Sequence, residues 1–255
     1  TQIDLTYNSN HIEGSRLTHD QTRYMFETNT IGVENEVLNV DDVIETSNHF
    51  RCIDLIIDHA ASTLSEHFIE KLHHILKTGT SDSRKDWFAV GEYKRLPNEV
   101  GGMQTSLPEE VADRMKALLS DYNAVPKKTL DDILDFHVRF ERIHPFQDGN
   151  GRVGRLIMFK ECLKYNIVPF IIEDASSADS FLLTALLEVG GTARSAVTID
   201  VFRLFRLRQV FATMLSDDFK NGQKIAPLLK GEGLYHLYNT YFVALITRLA
   251  KQSKA

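Results

Sequence analysis

The stretch from His144 to Arg155 constrains the fold most, because one helix must end there and another must begin. Pro145 disfavours helical geometry in the residue before it, so the preceding helix is expected to end by His144. Phe146 is expected to be buried as an anchor of the turn. The glycines on either side of Asn150 permit unusual backbone dihedral angles, and a new helix is expected to start around residues 150–152. The stretch therefore predicts two helices that meet at a glycine-rich turn.

The rest of the chain predicts a mainly α fold, a helical bundle with a small β-hairpin flap. Apolar residues recur at spacings of three and four in most segments. Ser9 is expected to cap a short turn that Gly14 ends, and Thr18 with Gln21 forms a capping box. Further helices are expected at residues 42–64, 66–77, 108–122 and 129–144. Residues 88–102 differ, because glycines and a proline separate their apolar positions, which favours a hairpin or flap.

Composition narrows the class of protein. The 255 residues can form one substantial core, or one domain and a smaller one. The net charge of −6, with both signs interspersed, argues against a sequence-independent nucleic-acid binder. The apolar runs are shorter than a membrane span. Two distant cysteines without a Cys-x-x-Cys pair favour a reducing, cytoplasmic location.

The same central stretch carries the residue types of a phosphate site. Successive backbone N–H groups around Gly149-Asn150-Gly151 can point at an anion, and the helix dipole adds positive potential. Arg152 and Arg155 lie on one side of the first helical turn and can grip phosphate oxygens. Asp148 can hold Mg²⁺ against the same phosphates. His144 can act as a general base, because the pKa of histidine lies near neutrality.

The residues alone leave two questions open. Gly-Asn-Gly also occurs in plain helix–helix turns, in which the histidine and the arginines would simply face solvent. A base, a carboxylate, an anion nest and two arginines rarely occur together by chance, which favours the phosphate site. Sequence chemistry does not separate the transfer of AMP from the transfer of phosphate.

The stretch resembles the signature of the Fic (filamentation induced by cAMP) family, His-x-Phe-x-Asp/Glu-Gly-Asn-Gly-Arg-x-x-Arg, and matches every specified position. The similarity extends upstream through the helix that contains His137 and Phe140, and to residues 91–95. The resemblance implies an α-helical protein that transfers AMP from ATP to a Ser, Thr or Tyr hydroxyl of a protein target, including the chain itself.

The resemblance also implies a role for each residue of the motif. His144 would take the proton of the target hydroxyl as it attacks the α-phosphorus. Asp148 would bind Mg²⁺ that bridges the phosphates, and Arg155 would orient the γ-phosphate. The whole nucleotide site would comprise Asp148, Gly149, Asn150, Gly151, Arg152, Val153, Gly154 and Arg155, together with Phe181 as a platform for adenine.

An N-terminal segment resembles the inhibitory motif of the family, Ser/Thr-x-x-x-Glu followed by Gly or Asn. It consists of Ser9, Glu13 and Gly14. The resemblance implies that Glu13 pairs with Arg155 and occupies the arginine that the γ-phosphate needs. In some relatives this glutamate also positions a water that removes AMP from targets, which leaves the reverse reaction open. The structural alternative is that Ser9 only caps a turn and Glu13 faces solvent.

A second segment resembles the target-docking flap of the family. It comprises Gly91, Glu92, Tyr93, Lys94 and Arg95. A strand edge near residues 91–96 could pair with an extended target segment and bring its hydroxyl to His144. Lys94 and Arg95 are expected to be solvated. Without the central motif, a plain surface hairpin would be preferred.

The resemblance thins after residue 172. The family commonly carries a basic residue and a tyrosine near the adenine pocket, where this chain offers Phe181 instead. The chain is therefore divided into residues 1–30 (inhibitory helix and lead-in), 31–190 (Fic-like core) and 191–255 (a helical region of unknown role). This last region could pack on the core, form the surface of a homo-oligomer or make an accessory unit.

The sequence thus predicts a Mg²⁺- and ATP-dependent protein adenylyltransferase that Glu13 inhibits. A phosphotransferase of the Doc toxin type is disfavoured, because Gly151 and the second arginine preserve the adenylylation pattern. A non-catalytic nucleotide-binding regulator is disfavoured, because a binder needs neither His144 nor Asp148.

Overall fold

The computed structural model describes residues 2–33, 37–100 and 103–172. Phe181 and the predicted C-terminal region at residues 191–255 lie outside these ranges. The division of the chain into three parts stays a prediction.

The described residues form a mainly α fold, as predicted. The seven α-helices in these ranges are α1 (Gln2–Ile12), α2 (His19–Thr28), α3 (Val40–Asp58), α4 (Glu66–Lys77), α5 (Pro108–Ala124), α6 (Leu130–Ile143) and α7 (Asn150–Lys164). A short 3-10 helix at Asp82–Arg84 follows α4, and two short strands, β1 (Glu99–Val100) and β2 (Met103–Gln104), precede α5.

Local signals set most helix ends. Thr18 and Gln21 form the predicted capping box of α2, and Thr129 caps α6. The helix α6 ends at His144, which adopts a left-handed conformation with φ of 52°. The helix α3 ends at Asp58 rather than at residue 64, since Ser65 must be extended to cap α4 and a turn has to precede it.

The predicted cap at Ser9 is wrong. The helix α1 begins at Gln2, so Ser9 lies well inside it, and its buried side chain is not available to an N-terminus. Gly14 follows the helix with φ of +92°, a conformation that glycine adopts without strain. The predicted stop at Gly14 is therefore confirmed, while the start lies further upstream.

The hairpin lies later than predicted. Strands β1 and β2 are antiparallel, with Glu99 opposite Gln104 and Val100 opposite Met103. The expected strand at residues 91–96 is wrong, because this segment forms irregular turns against α4. Gly91 has φ of +79°, and a Cβ atom there would lie 2.8 Å from the Cβ of His74. The backbone is thus too close to α4 and too curved for a strand.

The apolar core surrounds the α6–α7 pair. Helices α3, α4 and α5 contribute apolar side chains to it, among them Ile53, Leu72 and Met115. Phe146, in the turn before α7, is fully buried, as predicted. Its ring stacks on His73 of α4, with centroids 4.0 Å apart and planes within 5°. The apolar core therefore holds the turn in place through the stacked rings of Phe146 and His73.

Helices α6 and α7 approach closely because α7 has no side chain at Gly154. A Cβ atom there would lie 2.5 Å from Oε1 of Glu141 and 2.8 Å from the ring of His137. Both residues belong to α6, so this contact sets the spacing of the two helices.

We expect Gly154→Ala to lower the free energy of unfolding by about 1–3 kcal/mol, the usual cost of overpacking. The added methyl group would push on the buried His137 ring, and this outweighs the gain of up to about 1 kcal/mol in helix propensity. Gly32→Ala is the matched control, since a Cβ there meets nothing within 4 Å. Urea unfolding of both variants measures the difference, and equal stability would contradict the assigned contact.

Candidate functional site

The turn between α6 and α7 is closed by Asn150. Its Oδ1 accepts a hydrogen bond from the Phe146 N–H at 2.8 Å, and its Nδ2 donates to the Phe146 carbonyl at 2.8 Å. Gly149 caps α7 with φ of +80° and no side chain caps this helix end. The first N–H groups of α7 are thus available to an anion, which the helix dipole also favours.

His73 supports the turn from α4. Its Nδ1 lies 2.9 Å from the Gly91 nitrogen and accepts that N–H, so its Nε2 carries the proton and donates to the Asp148 carbonyl at 3.1 Å. Burial lowers the pKa of His73 to about 3, which keeps the ring neutral. One histidine therefore joins the flap segment to the central turn.

Four charged side chains form a closed ring at the start of α7. Oδ2 of Asp148 lies 2.6 Å from Nζ of Lys77 and 3.3 Å from Nη2 of Arg152. Glu45 of α3 contacts both cations from the other side, Lys77 at 2.5 Å and Arg152 at Nη1. Burial alone would raise the pKa of Asp148, but the two cations outweigh burial and lower it to about 2. Asp148 is therefore ionised at neutral pH.

The predicted contact between Glu13 and Arg155 is present. Nη2 of Arg155 donates to Oε1 of Glu13 at 2.6 Å and to the Ser9 carbonyl at 2.9 Å. Nε of Arg155 donates to Oγ of Ser9 at 2.9 Å. Burial alone would raise the pKa of Glu13, but Arg155 outweighs it, so the carboxyl is ionised. Arg155 has thus turned its donors towards α1.

Helix α1 is also attached to α3. Thr6 Oγ1 lies 2.9 Å from Nδ1 of the buried His49, and Asn10 donates to Thr46 at 3.2 Å. The same face of α1 thus contacts both α3 and Arg155.

His144 is neutral and faces groups of both signs. Burial lowers the pKa of its imidazole to about 4, and the charge of Lys94 adds to this, whereas Glu13 and Asp148 act in the opposite direction. Nδ1 of His144 lies 4.0 Å from Oε2 of Glu141. Burial raises the pKa of Glu141 to about 8. A neutral imidazole beside an open helix N-terminus can accept a proton from a group that attacks a bound phosphate.

Comparison with known proteins identifies the central part of the chain. A family profile described as Fic/DOC matches residues 63–162, which contain most of α4 to α7. This part is a Fic domain. The protein adenylyltransferase Fic of Nematostella vectensis is 27% identical over 176 residues, which are 65% of this chain and 38% of that protein. The protein of the same name from Drosophila melanogaster is 29% identical over 175 residues, 65% of this chain and 33% of the relative. The matched part thus spans well under half of these relatives.

Solved structures share the fold. A Fic domain-containing signalling protein from Bacteroides thetaiotaomicron has a TM-score of 0.73 at 24% identity, with 88% of each chain covered. Fic-1 (residues 134–508) from Caenorhabditis elegans has a TM-score of 0.60 at 17% identity, with 79% of this chain and 61% of that one covered.

The Fic domain brings most of the predicted site residues together. Asp148, Gly149, Asn150, Gly151, Arg152 and Arg155 lie on the turn or the first turns of α7, next to His144. Val153 lies in the apolar core, and Gly154 faces α6. Gly151 lies directly under Glu13, since a Cβ atom there would collide with that carboxylate.

The flap segment of the Fic domain differs from expectation in one residue. Arg95 is exposed and pairs with Glu92 at 2.8 Å. Tyr93 donates its hydroxyl to Oε1 of Glu66 at 2.7 Å. Lys94 was expected to be solvated, and this is wrong, because its side chain is buried with only 3% exposed. The reason is that its ammonium group finds polar partners inside the turn.

Sequence reasoning missed the residues that surround the motif. Glu45 and Lys77 contact the motif from 107 and 71 positions away, and Glu141 lies beside His144 without being part of the signature. None of them stands in a recognisable local pattern. His73 stands beside His74 in a helical stretch, and this pattern does not mark it as a functional residue.

None of the helices in the described ranges is long and apolar enough to span a membrane.

We expect the Fic domain to lose stability between pH 7 and pH 5. Burial lowers the pKa of His49, His73 and His137 to about 3 each. Below the unfolded value of 6.5 the unfolded chain takes up protons that the folded chain refuses, so folding weakens as the pH falls. Each histidine contributes about 1.4 kcal/mol per pH unit below that value.

Glu141 opposes this trend. Its raised pKa lets the folded chain keep a proton between pH 7 and pH 5 that the unfolded chain has released, so this residue stabilises the fold as the pH falls. The histidines outnumber it, and a net loss of several kcal/mol at pH 5 is expected. Urea unfolding at both pH values in the same high salt concentration measures this, and undiminished stability at pH 5 would show that these histidines are protonated in the folded chain.

Proposed function

We propose that this chain is a protein adenylyltransferase that uses ATP and modifies a Ser, Thr or Tyr hydroxyl. The carrying observation is that a neutral His144 lies beside the uncapped, glycine-lined N-terminus of α7. The names of the relatives from Nematostella and Drosophila support the same activity. A protein that only bound a nucleotide would need no base at this position.

The anion site would hold the phosphates through the chain's own donors. The N–H groups at the start of α7, which no side chain caps, would donate to the phosphate oxygens. Nε of Arg152 is buried and lacks a partner within the described part of the chain. A buried guanidinium donor without an acceptor fits an incoming phosphate oxygen, which would complete its hydrogen bonding.

The reaction forms one P–O bond and breaks another. The target hydroxyl oxygen attacks the α-phosphorus while His144 takes its proton. Since Nδ1 of the ring faces Glu141, Nε2 is the atom that would accept it. The bond from the α-phosphorus to the bridging oxygen breaks, and pyrophosphate leaves with that electron pair. AMP remains on the target as a phosphodiester.

Asp148 fits a magnesium ion. Magnesium in phosphate sites usually takes one or two carboxylates together with phosphate oxygens and water. Asp148 is ionised and precedes the anion site directly, and both cationic side chains contact the same oxygen, Oδ2. Bound magnesium would neutralise phosphate charge and polarise the phosphates for attack.

The pair of Glu13 and Arg155 would act as a brake. Arg155 donates to Ser9 and Glu13, so it cannot also hold a γ-phosphate. Gly14, with positive φ, ends the segment that carries the glutamate. In this proposal the chain binds ATP poorly or unproductively until α1 releases Arg155.

The segment at Gly91–Arg95 would position the target, and the chain itself is one such target. Removal of AMP by the same glutamate remains a proposal without separate support.

We expect Glu13→Gly to raise AMP transfer by at least about tenfold. Without the buried contact to Glu13, the free energy of placing the γ-phosphate at Arg155 should fall by more than about 1.4 kcal/mol. The intact chain and the variant are incubated with Mg²⁺ and ATP and weighed by mass spectrometry. A gain that corresponds to AMP supports the proposal. A phosphate-sized gain would instead identify a Doc-type phosphotransferase.

Two variants control this experiment. Glu27→Gly removes an exposed glutamate of α2 and should leave transfer at the level of the intact chain. His144→Ala added to Glu13→Gly should abolish it. Unchanged labelling of Glu13→Gly, with candidate targets present, would remove the brake from the proposal.

We expect Asp148→Asn to weaken nucleotide-dependent Mn²⁺ binding by at least about tenfold, because the metal loses its charged ligand. Asp82→Asn is the matched control, since Asp82 lies 3.7 Å from the same Lys77 but away from the turn. Electron paramagnetic resonance with a non-hydrolysable ATP analogue counts the free Mn²⁺. Equal affinity in the two variants would exclude Asp148 as the metal ligand.

A further inference from the structure

Lys94 is a buried cation without a carboxylate partner, a property that it shares in the described ranges with Lys128, which donates to backbone carbonyls. Lys94 is only 3% exposed, yet none of its hydrogen-bond partners in the described ranges is a carboxylate. Lys77, Arg152, Arg155 and Lys160, which are also buried, each contact a glutamate or aspartate. Burying a charge without a counter-ion costs free energy of folding. Such a charge is therefore a candidate for a functional role.

The contacts of Lys94 bracket His144. Its backbone N–H donates to the Pro145 carbonyl at 2.8 Å. Its Nζ reaches the Ile143 carbonyl at 3.5 Å, so the main chain is held on both sides of the histidine. His144 has φ of 52°, a conformation that costs energy for a residue with a side chain and persists only when the surroundings impose it.

The rest of the ammonium group is directed at the hairpin. Nζ donates to Oδ1 of Asn98 and to Oγ1 of Thr105, each at 2.7 Å. These two residues flank β1 and β2, and Thr105 also bonds to the Asn98 carbonyl. Lys94 therefore ties the hairpin to the C-terminal end of α6.

We propose that Lys94 is a positioning residue for His144, which it serves in two ways. It holds the backbone on either side of the histidine, and it places an unpaired positive charge beside the imidazole ring. This inference rests on the proposed role of His144 as the base of the transfer reaction.

The charge has a defined effect on the ring. Four residues influence the protonation of His144. They are Lys94 of the flap segment, Glu141 of α6, Glu13 directly after α1 and Asp148 of the turn. Among them only Lys94 is a cation, and its charge opposes a second positive charge on the imidazole. The histidine is thus kept unprotonated before the hydroxyl arrives, and after proton transfer the imidazolium is driven to release its proton.

Lys94 itself titrates in an accessible range. Burial lowers the pKa of its ammonium group to about 8. At neutral pH most molecules therefore carry the charge.

The test compares Lys94→Met with Lys116→Met in the intact chain. Both changes replace a lysine by methionine and remove one positive charge, but Lys116 is an exposed residue of α5 outside the central turn and the flap segment. The pKa of His144 is followed by NMR of the ¹⁵N-histidine-labelled protein, and its signal is assigned by comparison with His144→Ala. We expect Lys94→Met to raise the pKa of His144 by about one unit or more, and Lys116→Met to leave it unchanged.

A kinetic measurement completes the test. In the Glu13→Gly background, Lys94→Met should lower kcat for AMP transfer at least about tenfold and leave KM for ATP unchanged, since Lys94 is assigned to the base rather than to the phosphates. The acid limb of the pH–rate profile should move to higher pH. Lys116→Met should leave kcat, KM and the pH–rate profile unchanged.

The outcomes separate the inference from the proposed function. If no variant transfers AMP but the NMR shift occurs, the proposed function fails, while the effect of the Lys94 charge on the His144 ring is upheld. An unchanged pKa of His144 in folded Lys94→Met overturns the inference, whether or not AMP is transferred. If Lys94→Met does not fold, Lys94→Gln replaces it, because its amide keeps donors for Asn98 and Thr105 without the charge, and the same shift is required of it.

Discussion

The start of α7 depends on the compensation of buried positive charge. Arg152 and Arg155 lie at a helix N-terminus, where the dipole already disfavours cations, and both are largely withdrawn from water. Their charge is balanced by Glu45 and Asp148 on one side and by Glu13 on the other. Leaving such an ion without a partner costs several kcal/mol. The arginines must therefore always have an anion, either from the chain or from a ligand.

This requirement explains the arrangement of the N-terminal helices. Helix α3 carries Glu45 and packs against α7, while α1, which Glu13 directly follows, packs against both. In the proposed function, a triphosphate that displaced Glu13 would not have to create a favourable site, because it would replace one anion by another. Small differences between two well-satisfied states would then decide the competition, which would suit a site that is switched rather than simply occupied.

The sequence predicted those parts of the fold that local chemistry specifies. The bounds of α4 and the ends of α6 at Thr129 and His144 follow from caps, a proline and helical spacing, and the structure has them. The contact of Glu13 with Arg155 and an N-terminal helix were both expected from family likeness, but Ser9 was expected to cap a short turn and lies inside α1 instead.

The remaining parts could not be foreseen, because their causes are distant in sequence. Glu45 and Lys77 have ordinary neighbours in amphipathic helices, and only the packing of α3 and α4 on α7 gives them their roles. In the sequence, Lys94 resembles a surface lysine beside Arg95. In the structure, the hairpin and the end of α6 supply polar partners for its ammonium group. A small hairpin was correctly predicted in this part of the chain, but its strands begin only at Glu99, after Pro97, and not at residues 91–96.

Gly151 gives the contact between α1 and α7 a second physical basis. The carboxylate of Glu13 occupies the space where a side chain at this position would begin, so its fit requires a missing atom as well as an opposite charge. Shape and charge are therefore separate requirements at one point of the helix surface. In the proposed function, a phosphate group would need the same bare backbone as the glutamate does. The surface that would admit the ligand would thus also be the surface that admits Glu13, and a larger residue there would exclude both.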